Sequence, residues 1–584
     1  MTSPRQSPVQ LLLASDRRAW LVALSVSLGT ALLLVSPFFW LGTASGHDIS
    51  FHASSWLDVA GQWREGIVYP RWSEWANNGF GEPRFIFYPP LSWMLGAALG
   101  FVAPWNAVPG VFIVLVQTFS GLSMFALGKR FFSMGAAIFG AACYAANPYA
   151  LLLVYLRSDF AEQLACAFLP LLFLAAFQLS GLLEDRWRSP FRATAIFALL
   201  FAAVWLSNAP AGVLASYTLV LVFAWAAFAQ KSFAPLWRGV GGLALGFGLS
   251  CFFLLPAAYE QRWVNIAQAL SSGLQPSQNF LYTQIDDPEH NLFNWIASTV
   301  AVLLIVMTGF AALVASRYKR EEERGASKKP WHAMLLASAV AAIFMIRPSS
   351  ILWDLLPKLR FVQFPWRWMG ILAVPYAYFA AAAVRRRMGW IWAIIVILAS
   401  AGTAAFLAHK AWWDSDDIPS LREAIASGQG FEGTDEYDPV GDDHYNLPQH
   451  SPPVQILPAE TVEESPGLAP KADIRFGPWT AEEREFSVTS SQSLRLALRL
   501  LDYPAWRVEV NGQAAAPQHA ESTTQMVLAL LSGTHRISIS FRRTWDRNLG
   551  SLLSLLALLA WGTLLRLGGK GSGSGKASCQ TTPT

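Results

Sequence analysis

The sequence predicts a polytopic α-helical membrane protein of about twelve transmembrane helices, with a β-sandwich-like domain outside the membrane just before the last helix. Three features carry that reading. Charged side chains make up only 14% of the 584 residues and hydrophobic ones 53%, whereas soluble domains average about 25% charged. Apolar runs recur at the length of roughly 20 residues that crosses hydrocarbon. Toward the C-terminal end the pattern changes to short alternating runs, EREFSV, SLRLALRLL, WRVEVNG, QMVLALL and HRISISF, with a turn signal at Asn511-Gly512. The net charge of +4 is too small to imply nucleic acid as a partner. Cys143, Cys166 and Cys251 fall inside apolar runs and Cys579 lies in the tail, so no disulfide framework is expected.

Hydropathy places spans at 19–41, 108–128, 131–149, 161–180, 193–209, 211–229, 239–258, 294–315, 332–346, 368–384, 389–408 and 548–567. The first is expected to be a retained helix, because no small-residue cleavage site follows it. Lys and Arg in short loops favour the cytoplasm. Twelve crossings put Arg17/Arg18, Lys129/Arg130, Arg186/Arg188/Arg192, Lys231/Arg238, the run 317–329, Arg385–Arg387, Lys570 and Lys576 all on that side. Residues 89–105, PPLSWMLGAALGFVAPW, would invert Lys129/Arg130 if they crossed, so they read as a re-entrant or interfacial helix in the outer leaflet. The division is a transmembrane domain 1–408 with outer loop 42–107, an extracytoplasmic domain 409–546, a final helix 547–567 and a flexible Gly/Ser-rich cytoplasmic tail 568–584. Shorter outer loops are expected at 150–160, 259–293 and 347–367. Within the extracytoplasmic domain, 414–470 is acidic and mostly irregular, and 471–545 is the β part.

The polar stretch Gly46–Pro90, rich in Trp, Arg, Asp and Glu, reads as half of an active site facing outward. Asp48 stands just past the first membrane exit, with His47 beside it and His52 one helical turn on. The ordinary role of such an Asp is to cap the helix starting at Ile49. That helix looks interfacial, with Trp56, Val59/Ala60 and Trp63 on one face and Asp58, Gln62 and Glu65 on another. A second group is LRSDFAEQLA, where Asp159 and Glu162 fit a capping box. Beside Arg157, and on the same side as Asp48, they could equally bind a cation or orient a hydroxyl. Arg64, Arg71, Arg84, Arg157, Arg262 and Arg367 all fall on the outward side, against the usual bias. Anchoring to lipid headgroups is the commoner fate of such residues, but guanidinium also matches phosphate bidentately. The IDDPEHN stretch, with Asp286, Asp287, Glu289 and His290, reads as a solvated turn. No Walker loop, dinucleotide-binding glycine motif or zinc signature is present, and the Gly241–Gly248 glycines read as helix packing.

Together the Asp after the first span, YPP at 88–90, RSDFAE at 157–162, LLPAAYEQRWV at 254–264, FVQFPWRW at 361–368, GTDEYDPV at 433–440 and YPAWRVEVNG at 503–512 resemble the bacterial membrane proteins called 6-pyruvoyl-tetrahydropterin synthase-related. That group is similar in architecture to the GT-C glycosyltransferases, polytopic enzymes that use polyprenyl-phosphate sugars. The resemblance implies a GT-C-like fold, a bacterial inner (plasma) membrane location, and a site facing the periplasm or exterior. It puts Asp48 in the role of catalytic base and Asp159, or failing that Glu162, in that of the second acidic residue. His47, His52, Arg71, Arg84, Tyr88, Arg157, Glu260, Arg262 and Arg367 become the substrate-binding set, and a divalent cation (Mg or Mn) on Asp48 and Asp159 the implied cofactor. The first loop has no DxD pair, a departure that bears on the cation. Implied partners are a polyprenyl-phosphate-sugar lipid, an extracytoplasmic glycan, lipid or protein acceptor, and membrane lipids. The expected function is therefore sugar transfer from that donor to the acceptor in envelope glycan or glycolipid assembly. The alternatives are a transporter or flippase of a lipid-linked glycan, and a non-catalytic scaffold for envelope polymer assembly. Transport needs polar groups along a path through the bundle, and the spans are nearly free of ionisable residues.

Overall fold

A computed structural model describes residues 8–183, 189–317, 329–384, 389–457, 471–520 and 522–570. The expected cytoplasmic residues Arg186, Arg188, 318–328, Arg385–Arg387 and Lys576, part of the irregular segment (458–470) and the tail beyond Lys570 lie outside the described residues. Among those described, eleven helices are long and apolar enough to cross a membrane, or twelve if one bent pair counts as a span. The chain is a multi-pass α-helical membrane protein with a β-rich domain before its last helix.

Two expected spans differ in detail. The segment expected at 332–346 is the helix Lys329–Phe344, which bends by 93° into Arg347–Leu355; Pro348 stands at the break, where its missing N–H and fixed φ stop a straight helix. The second difference concerns 150–160, expected as an outer loop. After a break at Ala146–Asn147 the chain is helical again through Pro148–Leu152 and a π-helical turn Leu153–Arg157. The side chain of Asn147 restarts the helix by accepting from the N–H groups of Tyr149 and Ala150, both at 3.0 Å. An Asn-Pro pair thus marks an N-cap here, not an exit.

Residues 90–99 form a ten-residue helix, Pro90–Leu99. At 1.5 Å per residue it extends about 15 Å, half the hydrocarbon thickness. It packs on the helix Ile49–Arg64, where a Cβ on Gly96 would lie 2.3 Å from the Trp56 ring. That second helix corrects the interfacial expectation, since both of its faces are buried. Trp56 stacks on Phe112 at 5.5 Å. On the other face, Asp58 accepts from Gln62 at 2.9 Å and from Ser73 at 2.7 Å, and burial raises its pKa to about 6. The cover is the outer loop, which folds back over the helix. The irregular segment is also more ordered than its acidic, Pro-containing composition suggested, because a helix spans Asp417–Ala426 and packs on Ile49–Arg64. Gly242 and Gly246 seat Phe197 and Phe201, and Gly248 faces Ala557 of the last helix, consistent with close helix packing.

The β part forms two antiparallel sheets. One has the order Val454–Leu457, Leu494–Leu501, Gln525–Leu530, Gln518–His519; the other Ala472–Trp479, Glu483–Ser490, Gly533–Phe541, Trp506–Val510, Gln513–Ala515. Asn511 and Gly512, both at positive φ, make the two-residue hairpin turn between the last two strands. The apolar core between the sheets takes in Trp72, Phe80 and Ile86 of the outer loop. The fully buried Trp72 lies 5.4 Å from the Trp506 ring and 5.7 Å from that of Phe541. Glu260, at the end of the helix Ala234–Glu260, accepts two bonds from Arg547 at 2.7 Å and one from Tyr503 at 2.6 Å. The β part and the helix ends beside it are thus one packed body.

If Pro90–Leu99 does not cross, single cysteines at Val68 and Asn106, both exposed and on either side of it, should react with an impermeant thiol reagent from the same side in intact cells. Labelling of only one would show that the segment spans the membrane.

Candidate active site

The first and second outer turns are tied together by their backbones. His47 N–H donates to Leu156 O at 3.2 Å and Asp48 N–H to Arg157 O at 2.9 Å. The Ser158 hydroxyl accepts from Gly46 N at 3.0 Å and donates to Ala44 O at 2.8 Å. The π-helical turn Leu153–Arg157 and the left-handed Ser158, at φ 52°, aim this second turn at the first. Gly46 is required at the crossing, because a Cβ there would meet Arg157 C and Leu156 O at 2.6 Å.

Asp48 occupies the N-cap position of its helix but makes no capping hydrogen bond. Its carboxylate instead takes Nη2 of Arg157 at 2.5 Å. Asp159 does cap, accepting from Glu162 N at 2.8 Å. It also faces Arg157 at 4.0 Å, Arg367 at 3.6 Å and His52 Nε2 at 3.8 Å. Burial opposes ionisation of Asp159, but His52, Arg367 and Arg157 outweigh it and hold its pKa below the usual carboxylate range. Glu162 lies beneath, paired with Arg367 Nε at 3.1 Å and hydrogen-bonded by the Tyr149 hydroxyl. Side-chain exposure separates the four central groups: 28% for Asp48, against 8% for Arg157, 7% for Arg367 and 3% for Asp159. Asp48 is the most exposed of the four.

These groups open into a cavity of about 780 Å3 lined by His47, Asp48, Tyr88, Arg157, Asp159 and Arg367. His47 is held below its ordinary pKa, first by burial and then by Arg157, with Asp48 opposing. Arg84 also reaches the lining, but its guanidinium is committed to Glu82 at 2.6 Å, Ser54 at 3.0 Å and Ser55 at 3.1 Å. It organises the wall.

Of the residues that the resemblance puts at the site, five stand outside this lining. His52 and Glu162 sit behind it and hold Asp159 and Arg367. Glu260 is buried in its clamp with Arg547 and Tyr503, which makes it a joint between the last helix and the β part. Arg71 stacks on Tyr69 at 4.3 Å, near the same clamp. Arg262 is exposed and lies over Tyr259 at 3.6 Å. Burial of the joint explains why an acidic and a basic residue there imitate a site in the sequence.

The two-carboxylate cation reading does not fit these residues. The Arg157 guanidinium lies between Asp48 and Asp159, where a bridging metal would have to sit. Among the described residues no group of three or more His, Cys, Asp or Glu side chains could hold an ion.

Part of the lining carries no assignment from the sequence. Phe431–Tyr437 and Gln363 both face the cavity. The first lies within and beside the GTDEYDPV motif, and that motif was the available signal. It reaches the cavity because Phe431 pairs with the outer loop through Trp75 O and Asn78 N, Thr434 N–H donates to Glu82 at 2.8 Å, and Asn77 donates to Asp438 at 2.9 Å.

No family model matches the chain, and no curated protein matches it. Among solved structures, the arabinofuranosyltransferase AftD from Mycobacteria is similar at 18% identity and a TM-score of 0.43, over 69% of this chain and 27% of that one. The archaeal oligosaccharyltransferase AglB from Archaeoglobus fulgidus is similar at 13% identity and a TM-score of 0.32, over 70% of this chain and 56% of that one. Likenesses this remote carry no argument about activity.

Gly46→Ala tests the backbone tie. The added methyl meets backbone, which cannot swing aside, so it should lower stability by about 1–3 kcal/mol, read as a fall in melting temperature in detergent. Gly29→Ala, at a helical position with open space around it, should not lower the melting temperature.

Proposed function

We propose that the protein is a membrane glycosyltransferase of GT-C type, moving a sugar from a polyprenyl-phosphate-linked donor to an acceptor on the outer side of a bacterial plasma membrane. The observation that carries this reading is the pairing, in one cavity, of a reachable carboxylate with two buried guanidiniums: Asp48 with Arg157 and Arg367. The resemblance of the motifs to the 6-pyruvoyl-tetrahydropterin synthase-related proteins is consistent with it. In this reading the cavity lies at the outer ends of the helices, where a lipid-borne group and a water-borne one can meet.

In this reading Asp48 accepts the proton of an acceptor hydroxyl as its oxygen bonds to the anomeric carbon. The bond from that carbon to the phosphate oxygen breaks, and the electron pair leaves with the phosphate. Charge on the leaving group is met by Arg367 and Arg157, held in place before the reaction. Glu162 and Asp159 hold Arg367 from behind, and Val362 O takes its Nη1–H at 3.0 Å. The second acidic residues therefore act by positioning cations. Arg157 orients the Asp48 carboxylate directly.

Asp48→Asn is the decisive substitution. Asn keeps the size and an oxygen for Arg157, and no capping bond is at stake. Loss of a base typically costs about 100- to 10,000-fold in rate. Cells lacking the gene and complemented with the folded variant should therefore show the envelope glycans of uncomplemented cells by mass spectrometry. Normal glycans would remove Asp48 from the chemistry and favour the scaffold reading.

The phosphate role has its own measurement. Arg367→Lys keeps the charge but loses the planar fork. It should weaken binding of inorganic pyrophosphate to the purified protein roughly ten- to a hundredfold, the worth of a charge-assisted hydrogen bond. Arg262→Gln, outside the cavity, should not change it. Equal binding by wild type and Arg367→Lys would leave that residue a purely structural role.

A further inference from the structure

The cavity lining has two chemically different parts. The part from the helix ends carries Arg157 and Arg367, with apolar neighbours such as Ala257, Leu274 and Phe361. The other comes from outside the helical bundle, from the segment Phe431–Tyr437, and it is acidic and aromatic. Its 3-10 turn Asp435–Tyr437 presents Glu436 and Tyr437, and the Tyr437 ring stacks on Phe87 at 5.7 Å with an interplanar angle of 13°. Glu432 is exposed and lines the same part.

This wall is built into place. Gly433 lies against Asn77, where a Cβ would be 1.6 Å from Oδ1, and Gly430, at φ +79°, lies against the backbone of Trp75 and Asn78. The charges packed around Glu436 are Glu82, Asp435 and Arg84. Arg84 is already bound to Glu82 and to the hydroxyls of Ser54 and Ser55. The Glu436 carboxylate accepts from its own backbone N–H, and among the described residues no side-chain hydrogen bond to it stands beside that one, so the residue lines the cavity with acceptor capacity to spare.

We infer that this wall is the acceptor subsite, and that it admits an uncharged polyhydroxylated acceptor, a neutral glycan, while excluding anionic ones. The inference rests on the glycosyltransferase reading and deepens it. Stacked aromatic rings offer the flat apolar surface that the C–H face of a sugar covers, and carboxylates accept hydrogen bonds from its hydroxyls. The same carboxylates repel an anionic sugar such as a uronate. Glu436 is the specificity-determining residue, with Glu432 beside it. Burial, reinforced by Glu82 and Asp435, raises the Glu436 pKa to about 7, against the pull of its own backbone N–H and of Arg84. The carboxyl is charged above that value and neutral below it, so the exclusion should be strongest in mild alkali.

The test uses the full-length protein in lipid nanodiscs on an array of neutral and uronate-containing oligosaccharides. At about pH 8 neutral glycans should be held about tenfold more tightly, the effect of a modest like-charge penalty. The preference should shrink at about pH 6 and vanish in the double variant Glu432→Gln/Glu436→Gln, checked for folding by its melting temperature. Equal retention of both classes at the higher pH, retention of neither, or an unchanged preference in the folded double variant would overturn the inference. Pyrophosphate binding, measured in parallel on wild type and Arg367→Lys, separates the two levels. If that binding depends on Arg367 while glycan selectivity is absent, only the acceptor wall is wrong. If selectivity is present without any such phosphate binding, it is the donor reading that falls.

Discussion

The candidate site depends on one contact, the crossing of Ala44–Asp48 over Leu156–Ser158. Two backbone hydrogen bonds and one serine hydroxyl hold segments more than a hundred residues apart in sequence within touching distance. The approach is so close that residue 46 must be glycine. With the backbones fixed this way, Asp48 and Arg157 meet without any freedom to search, and Asp159 follows two residues later. The π-helical turn Leu153–Arg157 ends at Arg157, directly ahead of the left-handed Ser158.

Once Asp48, Asp159, Glu162, Arg157 and Arg367 share one largely buried cluster, their energetics are collective. A buried carboxylate or guanidinium loses several kcal/mol of hydration, and a partner must offset this. Each charge here has at least one opposite neighbour within 4.0 Å. The arrangement also selects which charge is available. Asp159 and Glu162 are used up in holding Arg367, and Asp48, bound on one side only, faces the open volume. A single guanidinium, that of Arg157, stands within 4.0 Å of both the Asp48 and the Asp159 carboxylates.

The β part is more than an appendage to the bundle. Its core is incomplete without Trp72, Phe80 and Ile86 of the outer loop, and its lead-in segment supplies the acidic, aromatic lining of the cavity. The Glu260–Arg547–Tyr503 clamp ties the last helix into the same joint. Burying the loop between helices and sheets explains why Asp58 and Gln62, which look like a solvated helix face, are hydrogen-bonded in the interior.

Hydropathy and period alone determined the membrane class, most helix positions, the alternating strands and the Asn511-Gly512 hairpin, because each is set by local side-chain spacing. Local sequence also singled out Asp48, Arg157, Asp159 and Arg367 as polar residues at helix ends. Whether Asp48 caps its helix or binds a guanidinium was not local information. It depended on Arg157, which arrives from another helix by way of a π-helical turn that no periodicity announces. Glu260, Arg71 and Arg262 have the same composition as site residues, and only tertiary packing assigned them to a joint and a surface. The Phe431–Tyr437 wall was visible as a motif, yet its place in the cavity was decided by hydrogen bonds to a loop some 350 residues earlier. Contacts at that separation are fixed by how the sheets and helices enclose the loop, and no window of sequence contains them.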